Sequence, residues 1–415
     1  GRQSFELSSD GDGTEGSKAS EYTASVGIQA IDGDQTPTIE NNVVTDDGND
    51  ISGDGDNDGS FYGYAIDGLK VSSGATTIAG DPGNTGTTGT IQGTVQGIAV
   101  LDGQSSEQSD VAIEDFSISA MSGSAPNSEA VNFQAGVYTY TETAENSGTT
   151  DVVISNTTVE GLDFSDPDDA GGGANPSANI YLSAFDFGIE TPAHNVTVEG
   201  VTVQSTEHRG IFVRGDDVSG SFFENGATNP NFNVTITDDA SGNNTVVKGV
   251  AEGNDAHPIH SEYGGSLTIN NAEIINEDIP AADAFHIRDA GATITFDGNV
   301  SVNSKGRTTF GDLGGRLADA DIEVTSTTSL STIDLGLGGT LELTGSETLR
   351  VTDRLTLSSG TFDVSGGNLT LASTGNTSTG FVSGSGSGTL TGDVTVEWQV
   401  PVPSGPSSWD GWQAL

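Results

Sequence analysis

The chain has 415 residues, 60 Asp plus Glu against 12 Lys plus Arg, no Cys, and a formal net charge of −48. This charge excludes nucleic acid as the default partner, because no basic stripe is present to neutralise phosphates. The lack of Cys excludes disulfides, and no apolar run reaches the roughly 18 residues of a membrane-spanning helix. Short alternating Val and Ile runs favour a folded all-β chain over disorder, although only 33% of residues are hydrophobic.

The charge balance indicates adaptation to salt. Repulsion between so many carboxylates destabilises a fold in dilute buffer, and at about 1 M salt the Debye length falls to about 3 Å. Lysine is scarce, which is typical of proteins from salt-accumulating or brine-dwelling microbes. An ordinary acidic secreted protein is the alternative. The lysines are Lys18, Lys70, Lys248 and Lys305.

Residues 1–20 are predicted to form an N-terminal segment or cap, and a chain that starts at Gly1 looks like a processed product. Further on, Asp54-Gly-Asp56-Asn-Asp58-Gly fits the first half of a calcium loop, in which alternating carboxylates converge on the ion. The twelfth position holds Ala65 in place of Glu, so a solvated acidic turn is the alternative. A shorter pattern of the same kind occurs at Asp10 and Asp12. Calcium at Asp54, Asp56 and Asp58 is the one cofactor that the sequence predicts.

One motif recurs over residues 21–320. An aliphatic residue is followed two positions later by Asn, Gly or Asp, and three positions after that by Val or Ile. Each copy predicts two short strands joined at a residue that tolerates a left-handed backbone. Degenerate copies occur near Ile236 and Phe296. The clear copies are Ile39-Asn41-Val44, Ile66-Gly68-Val71, Ile113-Asp115-Ile118, Ile154-Asn156-Val159, Val198-Gly200-Val203 and Ile269-Asn271-Ile274.

A further strand often follows each hinge motif. Its first and third apolar residues are expected on one side and the residue between them on the other. Strands that repeat without helices predict a solenoid in which each coil buries its apolar face on the next, with polar insertions between coils. The copies of this strand are Gly97–Val100, Ala184–Phe187, Gly210–Val213 and Ala284–Ile287.

Residues 321–393 are predicted to continue the solenoid with fewer insertions, at three short strands per coil. The strands begin at Thr332, Leu341, Leu349, Leu355, Phe362 and Leu369.

This repeat pattern resembles the right-handed parallel β-helix proteins, which include pectate-lyase-like enzymes and many bacterial surface proteins. The fold expected from the resemblance is all-β, a right-handed parallel β-helix with polar loop insertions. Residues 394–415 are expected to form a tail or linker. Their Val394-Thr-Val-Glu segment is similar to one that follows β-helices in surface proteins of Bacteroidota-type bacteria, where it leads into a further module and a type IX secretion domain. Trp398 stands where that pattern usually has Arg.

All five histidines fall between His194 and His286, close to several arginines. If the strands that contain Arg214, His260 and His286 stack, their outward positions form two columns. The catalytic interpretation makes His260 or His286 a general base, lets Arg214 or Arg288 neutralise a substrate carboxylate, and lets Asp186 orient or donate. Pectate-lyase-like enzymes place their sites on an outer sheet in this way. The alternative is cross-coil pairing that only stabilises the fold. The columns are Asp186, Phe212, His260 and His286, and Arg214, Glu262 and Arg288.

Two functions therefore stay open. The first is a secreted or cell-surface adhesin or matrix protein that binds carbohydrate or associates with itself through the open ends of the β-helix. The second is a polysaccharide lyase or glycoside hydrolase with a site around residues 186–288. Because no catalytic motif is recognisable, the first is preferred. The Asn-x-Ser/Thr sequons at Asn156, Asn195, Asn233 and Asn368 are expected to serve the stacking of strands and not glycosylation.

Overall fold

The computed structural model of the protein describes the chain in segments. The described residues are 3–7, 28–29, 38–40, 42–46, 61–67, 74–79, 89–92, 94–103, 109–119, 122–123, 135–143, 150–160, 163–164, 178–186, 194–205, 209–217, 232–249, 257–262, 266–276, 285–288, 293–298, 300–304, 307–310, 320–375, 378–383 and 386–397. Within them every regular element is a β-strand, which confirms the all-β prediction. No helix in this part of the chain has the length and apolar character of a membrane span.

The strands follow one another in short steps along the chain. The first of them are β1 (Gln3–Leu7), β2 (Ile28–Gln29), β3 (Thr38–Glu40), β4 (Asn42–Asp46), β5 (Phe61–Asp67), β6 (Gly74–Ala79), β7 (Gly89–Gln92), β8 (Thr94–Gly103), β9 (Ser109–Glu114), β10 (Phe116–Ser119), β11 (Ser122–Gly123) and β12 (Ala135–Thr143). The next are β13 (Thr150–Ser155), β14 (Thr158–Glu160), β15 (Asp163–Phe164), β16 (Ala178–Asp186), β17 (His194–Glu199), β18 (Thr202–Ser205), β19 (Arg209–Asp217), β20 (Phe232–Thr237), β21 (Thr245–Gly249), β22 (Ile259–Glu262), β23 (Ser266–Asn270) and β24 (Ala272–Asn276). The last are β25 (Phe285–Arg288), β26 (Thr293–Asp297), β27 (Ser301–Ser304), β28 (Arg307–Phe310), β29 (Ala320–Val324), β30 (Thr328–Thr344), β31 (Thr348–Asp363), β32 (Asn368–Leu371), β33 (Ser373–Gly375), β34 (Ser378–Thr379), β35 (Phe381–Ser383), β36 (Thr389–Thr391) and β37 (Val394–Val396).

Most strands belong to three ladders of parallel strands, named A, B and C here, which the chain visits in the order A, B, C. Ladder A contains β3, β6, β9, β13, β17, β20, β23, β26 and β29. Ladder B is the nine-stranded sheet of β1, β4, β7, β10, β14, β18, β21, β24 and β27. Ladder C contains β2, β5, β8, β12, β16, β19, β22, β25 and β28. Strands distant in sequence are therefore neighbours in space.

The hinge motif marks the corner between ladders A and B. Its first residues pair in one row of ladder A, and in every described copy except the degenerate one at Ile236 the residue two positions later takes a left-handed backbone. Backbone N–H groups at three of these hinges donate to a carbonyl oxygen of the neighbouring strand, each over 3.2 Å. The prediction that successive copies stack is thus confirmed. The row is Ile113, Ile154, Val198, Ile236, Ile269 and Phe296, and the hinges are Asp115, Asn156, Gly200, Asn271 and Gly298, with φ of 62°, 46°, 60°, 46° and 61°.

One predicted copy of the hinge motif is wrong. Ile66 lies in ladder C opposite Ile98, and the partner of Ile39 in ladder A is Ile78. A strand of ladder C also alternates and is followed by Gly, so local spacing alone does not separate the two ladders. Asn41 and Gly68 lie outside the described residues.

One predicted copy of the further strand is also wrong. Residues 210–213 pair with 179–182 and not with 184–187, so Phe212 lies opposite Tyr181. The strand β16 has apolar residues at both odd and even positions, among them Ala184 and Phe185, so its pattern does not fix the register. The expected pairing was off by five residues, an odd number, which also exchanges the inward and outward faces. Asp186 consequently lies opposite Asp217 and is not in the row of Phe212 and His260, as we had expected.

A continuous hydrophobic core lies between the three ladders. Each ladder contributes rows of aliphatic side chains from alternate positions, and these are almost fully buried. The row of ladder C, for example, is Ile98, Val137, Ile180, Ile211 and Ile259.

The C-terminal strands confirm the predicted count of three per repeat. β30 and β31 each run through ladders B, C and A in turn, so that Leu349, Leu355 and Phe362 of β31 lie one in each ladder. Val394–Val396, which we had placed in the tail, pairs with β32 and continues ladder B. Directly after it, both Glu397 carboxylate oxygens accept hydrogen bonds from Arg350, over 2.7 and 2.6 Å.

Candidate functional site

The strands β19, β22 and β25 bring the predicted histidine column together. Strand alternation directs Ile211 and Val213 into the core and Phe212 to the opposite face of ladder C. In the backbone register Phe212 lies opposite His260, and His260 lies opposite His286. This part of the predicted register is confirmed.

The second predicted column is also in register. Arg214 lies opposite Glu262, and Glu262 lies opposite Arg288. Arg214 is buried, at 5% exposure, so it does not lie on an open face. The neighbour that precedes it in the row is Ser183 of β16. The roles proposed for Arg214 and Arg288 toward a substrate carboxylate stay predictions.

The residues around His260 form a buried aromatic stack. Ring centroids are 5.2 Å apart between Tyr138 and Tyr181, 4.8 Å between Tyr181 and Phe212, and 5.0 Å between Phe212 and His260. His257 adds an edge-on contact to His260 at 5.4 Å. We name Tyr138, Tyr181, Phe212 and His260 the aromatic row. Such pairs contribute about 0.5–1.5 kcal/mol each beyond their buried area.

Arg209 holds the end of the aromatic row at His260. Its Nε donates a buried hydrogen bond of 2.8 Å to Nδ1 of His260. The guanidinium carbon also lies 5.3 Å from the ring centroid of Phe212, within the range of a cation–π contact. The cation is therefore shared between an imidazole acceptor and an aromatic face.

This hydrogen bond determines what His260 can do chemically. A nitrogen that accepts from a guanidinium carries no proton, so the neutral ring bears its proton on Nε2. In that tautomer Nε2 is a donor and Nδ1 is already engaged, which leaves neither nitrogen set up as a general base. With only 3% of its surface exposed, His260 is placed as a packing residue. This geometry is compatible with the stacking alternative, and the general-base role of His260 or His286 stays a prediction.

The remaining predicted residues either lie in another ladder or fall outside the described part of the chain. His194 is buried at the start of β17 in ladder A, while His208 lies outside the described residues. No group of three or more His, Cys, Asp or Glu that could hold a metal ion occurs in the part of the chain that the structure describes. The predicted calcium ligands are not in that part. These are Asp54, Asp56 and Asp58, with the weaker pair Asp10 and Asp12.

A second feature, which sequence reasoning missed, lies on the outward face of ladder A. In β17, β20, β23 and β26, two outward positions per strand carry only amide or hydroxyl side chains, and all are partly exposed. Parallel pairing lines them up in two rows. We name these eight residues the hydroxyl–amide face. The rows are Asn195, Asn233, Ser266 and Thr293, and Thr197, Thr235, Thr268 and Thr295.

The first row is ordered by hydrogen bonds between strands. Nδ2 of Asn195 donates to Asp151 over 2.7 Å, and Nδ2 of Asn233 donates to Oδ1 of Asn195 over 3.1 Å. The hydroxyl of Ser266 donates to Oδ1 of Asn233 over 2.7 Å. These side chains are thereby held in a single orientation. The sequons at Asn195 and Asn233 serve strand stacking, as the sequence predicted.

The second row leaves its hydroxyl groups available. Thr295 donates to Glu323 over 3.3 Å. Within the described residues no hydrogen bond involves the hydroxyls of Thr197, Thr235 and Thr268, so each can donate and accept. Neighbouring strands lie about 4.8 Å apart and successive outward residues about 6.7 Å apart. The face is therefore a regular grid of hydrogen-bonding groups.

Charge is absent from the grid and present at its border. None of the eight residues of the hydroxyl–amide face is ionisable, although the chain carries 60 acids. Glu199, at the end of β17, borders the grid. Burial raises the pKa of its carboxyl, and the charge of Asp239 raises it further. Asp239 itself has a lowered pKa, because its carboxylate accepts hydrogen bonds from Asn243 and Ser241.

A sequence signal for this face does exist. The four strands share a pattern of Asn, Ser or Thr, then an aliphatic residue, then Thr, then the core residue of the hinge row. It is written Asn195-Val-Thr-Val198, Asn233-Val-Thr-Ile236, Ser266-Leu-Thr-Ile269 and Thr293-Ile-Thr-Phe296. The hinge motif begins only at the last residue of this pattern, so the motif does not include the outward positions that form the face.

Comparison with known proteins finds no protein-family model, no curated protein and no solved structure that matches this chain. The evidence for function therefore comes from the described geometry, which offers a buried aromatic row on ladder C and an open hydroxyl–amide face on ladder A.

Proposed function

We propose that the chain is a right-handed parallel β-helix that acts as a secreted or cell-surface carbohydrate-binding protein in a salty environment. The strict A, B, C order of parallel strands supports a coil, since each return to a ladder advances by one strand. Connections between parallel strands of one sheet are right-handed in about 98% of cases, which supports the hand. The net charge of −48 supports the salty environment.

The single observation that carries the binding function is the hydroxyl–amide face. A neutral polysaccharide presents hydroxyl groups at regular intervals and needs partners that both donate and accept. The grid offers such partners over four adjacent strands, with one row fixed by its own hydrogen bonds. Groups that are already ordered lose little conformational entropy on binding. A polymer can engage several strands at once, so weak contacts add up.

The alternative of a lyase or hydrolase has less support from the geometry. His260 is buried, its Nδ1 accepts from Arg209, and it packs edge-on against Phe212. Asp186 is in a different row. A calcium ion at Asp54, Asp56 and Asp58 stays a prediction, as does self-association.

The test is co-sedimentation of the full chain with insoluble neutral polysaccharides, namely cellulose, chitin, xylan and mixed-linkage β-glucan, in molar NaCl. The variant carries Thr235→Val together with Thr268→Val, which removes two hydroxyls and keeps shape and strand preference. Each hydroxyl contributes about 0.5–1.5 kcal/mol, so affinity for the bound polymer is expected to fall about tenfold.

The matched control replaces two paired threonines on ladder B, Thr158→Val and Thr202→Val. The control is expected to bind like the parent chain. Binding to none of the four polymers, or equal loss in both variants, contradicts the assignment to the hydroxyl–amide face. Soluble sugar products that disappear in a His260→Ala variant support the enzyme alternative instead.

A further inference from the structure

The core of the protein is uncovered where the described strands end. Val382 in β35 and Val396 in β37 occupy core rows, opposite Leu355 and Leu371 of the preceding strands. Yet Val382 is 41% exposed and Val396 is 57% exposed, whereas Leu355 is fully buried and Leu371 is 6% exposed. Among the described residues, no further strand lies over β35 and β37.

The last strands also lack a partner on one side. Within the described residues, β35 and β36 pair only with β31, and β37 pairs only with β32. Phe381 lies at the same end with 52% of its surface exposed. Exposed strand edges next to apolar side chains attract a further segment, since their backbone groups are still available for pairing. This end therefore requires a cover.

Charge at this end is low for so acidic a chain. Residues 378–397 contain only two ionisable groups, Asp393 and Glu397. Glu397 is bound by Arg350, and this hydrogen bond lowers the pKa of its carboxyl. The end is therefore nearly uncharged and exposes the apolar side chains of Phe381, Val382 and Val396. An apolar, nearly uncharged occupant suits it.

We propose that residues 398–415 of the same chain cover this end. This segment begins directly after Glu397, at the edge that needs covering. It holds all three tryptophans of the protein, at Trp398, Trp409 and Trp412, and one charged residue, Asp410. Each tryptophan can bury about 150–250 Å², enough to cover the exposed side chains of the last strands.

A second copy of the chain is the weaker occupant. A second copy has to be recruited from dilute solution, and molar salt screens the charge of both copies within about 3 Å. The tethered segment is always present, at an effective concentration in the millimolar range. The cover is therefore intramolecular, and it removes this end from the self-association that open ends permit. The inference depends on the exposed end and not on the carbohydrate-binding proposal.

The test uses tryptophan fluorescence of the full chain, because every tryptophan lies in the proposed cover. In molar NaCl the emission is expected at shorter wavelength than in the urea-denatured chain, with reduced quenching by acrylamide. A Val396→Lys variant places a charge on the covered surface. Because the Val396 side chain is then no longer buried under the segment, the equilibrium constant for docking of residues 398–415 is expected to fall about tenfold. This fall is seen as emission at longer wavelength and stronger quenching by acrylamide.

A Thr202→Lys variant, exposed on ladder B, is the matched control and is expected to keep the parent emission. Circular dichroism and carbohydrate binding of each variant report separately on the strands and on the hydroxyl–amide face. Emission like that of the denatured chain, or emission unchanged in Val396→Lys, overturns the proposal. The proposal is also overturned if the protection of the tryptophans from acrylamide grows with protein concentration in parallel with dimer formation, because the cover is then a second copy.

Discussion

The pair of Arg209 and His260 offers a sharp test of whether the aromatic row is a packing element. Replacing Arg209 by Met keeps the aliphatic stem but removes the donor to Nδ1 of His260 and the cation over Phe212. Replacing His260 by Phe keeps the ring beside Phe212 but removes the acceptor. A hydrogen bond to a charged group contributes about 1.5–3 kcal/mol, and the cation–π contact adds about 0.5–2 kcal/mol.

Each single variant is therefore expected to lose about 2–4 kcal/mol of local stability, since either one leaves a buried polar group without this partner. The double variant is expected to lose less than the sum, by a coupling energy of about 1.5–3 kcal/mol. Native-state hydrogen exchange of the amides of β19 and β22, in molar NaCl, measures the local free energy of opening.

The matched control is Arg354→Met, which makes the same change on ladder C at a guanidinium whose Nε has no hydrogen-bond partner among the described residues. It is expected to cost under about 1 kcal/mol. Losses that add to within about 0.5 kcal/mol show that the two side chains do not interact. Such a result refutes the assignment of His260 to packing through Arg209. Carbohydrate binding is expected to be unchanged in all of these variants.

Three further predictions concern the hinges, the acidic border and salt. Gly298→Ala is expected to lower stability in thermal unfolding by more than Gly242→Ala does. Both add a Cβ at positive φ, which costs about 1–2 kcal/mol, but only at Gly298 does the added Cβ collide with Oδ1 of Asn270, whereas nothing lies within 4 Å at Gly242. Burial raises the pKa of Glu199 in the folded protein, so its ionised form is disfavoured there. Glu199→Gln is therefore expected to raise the melting temperature at neutral pH but not at a pH below the pKa of Glu199 in the unfolded chain. An equal rise at the two pH values contradicts this expectation. The melting temperature of the parent chain is expected to rise with NaCl, because screening weakens repulsion among the carboxylates; a flat or falling curve contradicts the salt adaptation.

Local chemistry made the repeat predictable. Asn and Gly at the hinges tolerate a positive φ, and the aliphatic residues around them alternate with the period of a strand. The motif alone therefore predicts that Ile113, Ile154 and Val198 share one row, and their pairing confirms it. The alignment of Phe212 with His260 followed from the same period, because both lie one position after a core isoleucine.

The errors arose where local pattern does not identify the ladder or the register. Ile66 and Ile78 both stand next to last in their strands, and only pairing shows that Ile78 follows Ile39 in ladder A. In β16 apolar residues occur at both odd and even positions, so the pattern did not fix its register, and the expected partner of Phe212, Asp186, lies five residues from the true partner Tyr181. Burial of the aromatic row was not predictable either, since a side chain on the outer face of a strand is exposed unless other parts of the chain cover it.

Strand period, hinge chemistry and net charge are properties of neighbouring residues, and the sequence alone determined them. The partner of each strand, the contact of Arg209 with His260 and the alignment of the hydroxyl–amide face join residues tens of positions apart. Only the tertiary structure decided these features, because the length of each insertion sets which strands meet and leaves no local signature. The packing of His260 against Arg209 and the single open row of Thr197, Thr235 and Thr268 are likewise contacts and alignments between residues far apart in the sequence.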